Sequence, residues 1–182
     1  MEVDIKVKVP PLKIQGIKTK LVPFIMRTIN WNGKGRWIEP FLGSGVVMFN
    51  VNPKNAVGAD SNPHIINVSK YIQNKTITPS SMRRFLEEEG ARLEEIGEDY
   101  YYSVRDRFNE NYSPFDYLFL NRSCFNGMMR FNSSREFNVP FCRKPDRFSK
   151  SYVTRICNQI DWLSKRVEEK DWVFKEQDWT ET

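Results

Sequence analysis

Residues 36–60 read RWIEPFLGSGVVMFNVNPKNAVGAD and decide the fold. A short strand candidate, Arg36–Glu39, leads into the small-residue loop Leu42–Gly45, and a helical pattern follows over Val46–Val51. A second apolar strand candidate, Ala56–Ala59, ends at Asp60. This order of strand, glycine loop, helix, strand and acid predicts the first βαβ unit of a doubly wound parallel sheet.

Two further helices flank that unit. Before it, residues 18–29 carry apolar side chains at helical spacing, namely Leu21, Phe24, Ile25 and Ile29. Pro23 falls in the first turns of this helix, where a missing amide costs little. After the unit, Asn62 and Pro63 predict the N-cap and first residue of a helix that runs to Gln73.

The pattern changes after residue 80. Helical runs at 81–96, 99–108 and 115–124 predict a helical insertion after the second strand, and residues 131–147 are typical of a loop. A helix at 149–167 and the start of a strand at 171–174 return to the earlier pattern. We therefore predict an α/β protein: an incomplete Rossmann-like doubly wound sheet with an inserted helical lobe.

Charge and composition limit the possible functions. The net charge of +5 and the pI near 9.1 favour a polyanionic partner, although many basic proteins bind no nucleic acid. Three irregularly spaced cysteines and a single histidine argue against a structural zinc site and a Ser-His-Asp triad, so we expect no metal. Residues 1–11 do not resemble a signal peptide, and no stretch has the length of a membrane span, so we expect a cytoplasmic protein.

The glycine loop and the acid after it indicate a nucleotide-like ligand. Gly43 and Gly45 would let the backbone approach a ligand where a strand meets a helix. Asp60, at the end of the next strand, is placed to bind ribose hydroxyls. No glycine follows Gly45 in the helix, so the dinucleotide pattern is incomplete. Glu39 disfavours phosphate and favours a cation such as an amino group.

Three blocks occur in a characteristic order along the sequence. The first is residues 13–21, KIQGIKTKL, and the second joins residues 39–47, EPFLGSGVV, to residues 59–63, ADSNP. The third and most specific is residues 121–132, NRSCFNGMMRFN, followed by FNVPFCR at 137–143. With these blocks in this order, the sequence resembles the Dam-like adenine-specific DNA methyltransferases.

The resemblance implies S-adenosylmethionine as cofactor and double-stranded DNA as substrate. The residues that it assigns to the cofactor are Ile14, Lys18, Glu39, Pro40, Phe41, Gly43, Gly45 and Asp60. The residues that it assigns to DNA are Lys18, Asn121, Arg122, Asn126, Met128, Arg130, Asn132 and Pro140. Within these sets, Ile14 would pack near the adenine, and the third block would form a hairpin that reads DNA. Physical chemistry agrees, since Asn and Arg can contact purine edges and Met128 could wedge between bases.

The resemblance also implies how the chain is divided. Residues 1–76 would form the cofactor-binding part, residues 77–147 the helical insertion with its DNA-recognition hairpin, and residues 148–182 the return to the sheet. The family holds its target amine with an Asp-Pro-Pro-Tyr turn, and that tetrapeptide does not occur in this sequence. The catalytic residues are therefore not assigned.

Three explanations of the missing turn stay open: a split enzyme, an artificially shortened chain, and a naturally short product. The first predicts a complementing chain that carries the turn. The expected function is an adenine-specific DNA methyltransferase, as in restriction-modification. The alternatives are a non-catalytic DNA-binding or regulatory module of the same family and an unrelated nucleotide-binding enzyme, which the third block makes improbable.

Overall fold

The computed structural model describes residues 6–182, arranged as an α/β protein around a small parallel sheet. Residues 1–5 lie outside the described residues. The prediction that residues 1–11 are not a signal peptide therefore falls partly outside the structure. The strands are β1, Trp37–Glu39; β2, Asn55–Asp60; and β3, Asp171–Glu176. Both predicted strands of the βαβ unit are therefore confirmed, and the third begins where the sequence indicated.

The helices follow the predicted order closely. They are α1, Val22–Thr28; α2, Val46–Val51; α3, Pro63–Gln73; α4, Pro79–Ile96; α5, Glu98–Asn111; α6, Pro114–Ser123; and α7, Lys150–Val167. Asn62 is the N-cap of α3 as predicted, and its side-chain oxygen accepts a hydrogen bond from the His64 amide at 2.9 Å. The apolar periodicity and the turn residues thus located each of these helices.

The first helix differs from its prediction. It begins at Val22 rather than near residue 18, because Pro23 fits only in a first turn and the preceding residues form turns. The apolar residues Leu21, Phe24 and Ile29 are exposed, and Val22 is buried instead. Helical spacing was therefore correct for α1, but it did not identify the face that packs.

The sheet has the strand order β1-β2-β3, and both pairings are parallel. Ile38, Val57 and Val173 are in register, so their side chains point to the same face. On the opposite face, the ring of Phe49 in α2 stacks on Trp172, with ring centroids 5.7 Å apart. Pairing of β1 with β2 brings the loops that follow these strands to one edge of the sheet.

The three helices of the predicted insertion, α4, α5 and α6, share one continuous hydrophobic core with α3, α7 and the sheet. Helix α4 packs against α7, and α6 packs against α3. Tyr101 and Tyr117 are among the largest fully buried side chains of this core. The domain boundaries at 76/77 and 147/148 stay a prediction.

The described residues contain neither a membrane-spanning helix nor a metal-binding cluster. None of the helices in residues 6–182 combines the length and apolar character that crossing a bilayer requires. In the same part of the chain, no group of three or more His, Cys, Asp or Glu side chains is placed to hold a metal. The cysteines Cys124, Cys142 and Cys157 are all free thiols.

Candidate functional site

A cavity of about 260 Å³ lies where β1 and β2 end. It is lined by residues from two distant parts of the sequence, including Ile14, Lys18, Glu39, Phe41, Gly43 and Asp60. These are six of the eight residues that the resemblance assigned to the cofactor. Pro40 and Gly45 do not line the cavity. The fold therefore joins the first and second sequence blocks in one site.

The carboxylate of Asp60 holds the two loops of this site together. One oxygen accepts a hydrogen bond from the Gly43 amide at 2.8 Å, and the other accepts from the Asn62 amide at 2.9 Å. Each carboxylate oxygen can accept more than one hydrogen bond. Asp60 can therefore fix the glycine loop and still accept hydrogen bonds from a ligand.

Glu39 gives the cavity an acid whose charge depends on pH near neutrality. Burial raises the pKa of Glu39 to about 7, against a smaller opposing effect of hydrogen bonds from the Trp37 side chain and the Met48 backbone. The Trp37 indole nitrogen lies 3.3 Å from a Glu39 carboxylate oxygen. A cationic ligand group would stabilise the charged form of Glu39.

The two glycines of the loop have different surroundings. Both have positive φ, +50° at Gly43 and +71° at Gly45. A Cβ at Gly45 would lie 2.3 Å from the Phe49 ring, whereas a Cβ at Gly43 would meet no protein atom within 4 Å. Gly45 is therefore required for packing, and Gly43 leaves open space at the cavity.

An aromatic pair beside the cavity was not found from the sequence. The rings of Phe41 and Trp179 stack with centroids 6.3 Å apart, and both side chains are exposed. Trp179 follows β3 by only a few residues. Because β3 pairs in parallel with β2, the residues after β3 lie near the glycine loop. The sequence alone did not give this strand order, so it could not place Trp179 there.

The third block forms a short hairpin, as expected. Antiparallel bridges join Cys124 to Phe141 and Phe131 to Phe137. Across it, the Arg130 guanidinium donates to the side-chain oxygen of Asn138 at 2.9 Å. The hairpin is thus held by its own polar and apolar contacts.

Four of the eight residues assigned to DNA lie on the surface of this hairpin. Asn126, Arg130, Asn132 and Pro140 are exposed, whereas Met128 is half-buried and packs against the core. The Asn132 side chain closes the hairpin turn through two hydrogen bonds to Glu136. The Asn126 side chain forms no hydrogen bond to another described residue, and Arg130 is exposed although it donates to Asn138.

Phe125 was not predicted as a site residue, and it is 49% exposed. It precedes Asn126, which has a positive φ of 52° at the start of the hairpin. A large exposed aromatic ring beside an amide is a better candidate for a wedge between bases than the half-buried Met128. Sequence alone gave no signal to distinguish Phe125 from the buried Phe residues.

Asn121 and Arg122 do not fit their predicted contact with DNA. Both side chains are buried, Asn121 completely. Asn121 forms hydrogen bonds to the main chain of Lys13, and Arg122 donates to the Pro11 carbonyl and to the Gln159 side chain at 2.7 Å. Since these groups are occupied within the chain, neither side chain offers them to a base in this conformation.

A larger cavity, of about 510 Å³, lies between the end of β2 and the hairpin. Its lining includes Ser61, His64, Tyr112 and Phe131. The His64 ring stacks with Tyr112 and Phe131 at centroid distances of 5.3 and 5.1 Å, and burial lowers the pKa of His64 to about 4. The His64 imidazole is therefore neutral at physiological pH.

The family described as D12 class N6 adenine-specific DNA methyltransferase matches residues 15–178. The chain is 37% identical to the DNA adenine methylase of Haemophilus influenzae, over 72% of this chain and 46% of that protein. It is 33% identical to the type II methyltransferase M.MjaIII of Methanocaldococcus jannaschii, over 91% of this chain and 67% of that protein. The chain thus spans about half the length of the first of these relatives and two thirds of the second.

Proposed function

This chain belongs to the D12 class of N6 adenine-specific DNA methyltransferases, and from that premise we propose that it forms the cofactor-binding and DNA-binding parts of an adenine-specific DNA methyltransferase. The reaction would move a methyl group from S-adenosylmethionine to the exocyclic amino group of adenine in DNA. The observation that carries the proposal is the cavity that unites Lys18, Glu39, Gly43 and Asp60.

The residues of this cavity fit the chemistry of S-adenosylmethionine. When bound, this cofactor supplies a methyl group on a positively charged sulfur. Glu39 would hold the amino group of its methionine part, and Lys18 would lie near the carboxylate. Asp60 would accept hydrogen bonds from the ribose hydroxyls while it fixes Gly43.

The larger cavity extends the site beyond Asp60. Asp60 lines the smaller cavity and the next residue, Ser61, lines the larger one. A cofactor held at Asp60 could therefore direct its base toward the aromatic wall that contains Phe131. Ile14 lines the smaller cavity together with Glu39, so a base in the larger cavity would not lie against it. The contact of Ile14 with adenine therefore stays a prediction that competes with this arrangement.

The hairpin would read the DNA. Asn126 and Arg130 would contact base edges, and Phe125 would enter the space that a displaced adenine leaves. We revise the roles of Asn121 and Arg122 from contact with DNA to positioning, because their buried polar groups hold residues 11–13. Lys18, Asn132, Met128 and Pro140 stay candidates for DNA contact.

We further propose that another polypeptide segment, with a strand and an amphipathic helix, completes the sheet. Ile38 and Val173 point to the same face and are 53% and 37% exposed. β1 is also an edge strand of the described sheet. Such a segment could carry the Asp-Pro-Pro-Tyr turn. Methyl transfer that appears only when this chain is mixed with the corresponding segment of a relative would support this arrangement.

Titration calorimetry of S-adenosylmethionine into the chain tests the cofactor site. We expect binding that Asp60→Asn weakens by at least about tenfold, because the amide lacks one acceptor oxygen and the charge. Asp161→Asn, on the surface of α7, is the matched control and should bind normally. Binding of DNA that depends on Arg130 but does not require cofactor would instead favour a non-catalytic DNA-binding module.

A further inference from the structure

Positive charge is concentrated in a segment that the proposed site does not use. Residues 143–158 contain five cationic side chains and one carboxylate, Asp146, a net charge of +4 in a chain whose total is +5. The cations are Arg143, Lys144, Arg147, Lys150 and Arg155. None of the five forms an ion pair with a carboxylate in residues 6–182. The remainder of the chain is therefore close to neutral.

Three of these cations line a cleft of about 290 Å³ at the start of α7. We call it the basic cleft; its lining includes Lys144, Arg147, Ser149, Ser151, Tyr152 and Arg155. Asp146 also lines it and is its only carboxylate. The cleft thus combines three cations with three hydroxyl groups, a set of donors that suits a phosphate.

Arg147 is fixed in place within the basic cleft. Its Nε donates to the Arg122 carbonyl at 2.8 Å, and one terminal nitrogen donates to the Tyr152 hydroxyl at 2.9 Å. The guanidinium carbon lies 4.5 Å from the centre of the Tyr152 ring. Because none of these contacts neutralises its charge, Arg147 is an ordered cation before any ligand arrives.

The N-terminus of α7 adds to the positive electrostatic potential of the basic cleft. Ser149 is the N-cap, but its side chain forms no capping hydrogen bond, and the first turn contains no acid. The positive end of an 18-residue helix therefore faces the cleft without a compensating charge of its own. This contribution reinforces the three cations.

The basic segment directly follows the hairpin in the sequence. Phe141, on the returning side of the hairpin, bridges to Cys124, and the Cys142 amide donates to the Ser123 carbonyl at 2.9 Å. The basic segment begins at the next residue, Arg143. Since Arg147 also donates to the Arg122 carbonyl, the basic cleft adjoins the base of the hairpin.

We propose that the basic cleft binds a phosphate of the DNA backbone next to the sequence that the hairpin reads. This inference rests on the proposed function only in that DNA is the partner. Phosphate contacts contribute affinity without base specificity, and they release counterions. The cleft would thus supply affinity and orientation, and the hairpin would supply specificity.

The test is fluorescence anisotropy of the full chain with a labelled duplex at several salt concentrations. The variant is Lys144→Gln with Arg155→Gln, since neither side chain forms a hydrogen bond to another described residue. We expect about a tenfold loss of affinity near 0.1 M salt and a salt slope shallower by about 1, equally for all duplex sequences. Lys54→Gln with Lys70→Gln removes the same charge from exposed positions before β2 and late in α3, and should change both quantities much less.

The outcomes separate this inference from the proposed function. An unchanged salt slope in the cleft variant, with Arg130→Ala still impairing binding, would overturn the cleft and leave the proposed function intact. A shallower slope in a chain that binds no S-adenosylmethionine would support the cleft and count against the cofactor site. Equally tight, equally cleft-dependent binding of an RNA duplex, or no binding of DNA by the parent chain, would overturn the assignment to DNA.

Discussion

The side-chain amide of Asn121 forms two hydrogen bonds with the main chain of Lys13, one as acceptor and one as donor. Its oxygen accepts from the Lys13 amide at 2.9 Å, and its nitrogen donates to the Lys13 carbonyl at 2.6 Å. The Lys13 side chain also packs where a Cβ on Gly127 would lie, with 2.6 Å between that position and the Lys13 Cδ. Since Ile14 lines the smaller cavity, Asn121 connects the cavity wall to the base of the hairpin.

We predict that Asn121→Ala lowers the free energy of unfolding by about 2 kcal/mol, because two hydrogen bonds are lost at a buried site. It should also weaken binding of S-adenosylmethionine, because residues 13–18 lose their attachment to α6. Urea unfolding and calorimetry measure the two effects. Asn158→Ala, at an exposed position of α7, is the control. Normal stability and cofactor affinity combined with lost DNA binding would restore Asn121 as a residue that contacts DNA.

Asn121 also illustrates how far the sequence could predict the site. Local patterns located the βαβ unit, the N-cap Asn62 and the acid Asp60, because each depends on neighbours in the chain. The resemblance selected six residues that the fold brings to one cavity. The burial of Asn121 could not be predicted in this way, because its partner Lys13 is 108 residues distant in sequence. The exposure of Phe24 depends likewise on which face of α1 finds a partner.

The two loop glycines should respond differently to alanine. Gly45→Ala places a Cβ 2.3 Å from the Phe49 ring at positive φ, so we expect a loss of several kcal/mol of stability or failure to fold. Gly43→Ala should cost only about 1 kcal/mol, from its positive φ. Thermal unfolding compares them. Equal stability of the two variants would contradict the packing role of Gly45.

Gly43→Ala should also reduce cofactor affinity more than stability. Gly43 lines the smaller cavity, and a Cβ there meets no protein atom within 4 Å. The added methyl group would therefore occupy space that a ligand uses. Calorimetry of the folded variant tests this. If Gly43→Ala bound S-adenosylmethionine as tightly as the parent chain does, the cofactor would not approach Gly43.

The pKa of Glu39 predicts a pH dependence for cofactor binding. Since burial raises this pKa to about 7, Glu39 is protonated at pH 6 and largely ionised at pH 8. Affinity for S-adenosylmethionine should fall several-fold from pH 7.5 to pH 6, because an uncharged Glu39 attracts the amino group less. Glu39→Gln should bind weakly at both values. If the affinity of Glu39→Gln fell by the same factor from pH 7.5 to pH 6, the pH effect would belong to another group.

The raised pKa of Glu39 also affects the stability of the ligand-free protein. Stability should fall as pH rises, whereas cofactor affinity should increase. A carboxyl group whose pKa is raised by folding stabilises the folded state below its unfolded pKa of about 4.5, and this contribution is lost as pH rises through 7. Relative to Glu39→Gln, the parent chain should therefore lose stability between pH 5 and pH 8. Thermal unfolding of the two proteins at matched pH values measures the difference.

His64 should make the protein sensitive to acid. Burial lowers its pKa from 6.5 to about 4, so its stabilising contribution is complete above pH 6.5 and is lost as pH falls toward 4. His64→Phe keeps an aromatic ring between Tyr112 and Phe131 but cannot be protonated. We expect a smaller decrease in melting temperature for this variant over that range. Identical pH profiles would contradict a buried, neutral His64.

The exposed ring of Phe125 predicts which residue enters the DNA. If Phe125 fills the space left by a displaced adenine, Phe125→Ala should reduce the fluorescence increase of 2-aminopurine placed at the target position by several-fold. Met128→Ala should reduce it less, because Met128 is half-buried against the core. Its effect should appear instead as a loss of stability of about 1 to 3 kcal/mol. The reverse pattern, with Met128→Ala abolishing the signal in a stable protein, would return the wedge to the methionine. Phe125 is the better candidate because burying its exposed ring between bases is favourable, whereas Met128 would first have to leave apolar contacts that it already makes.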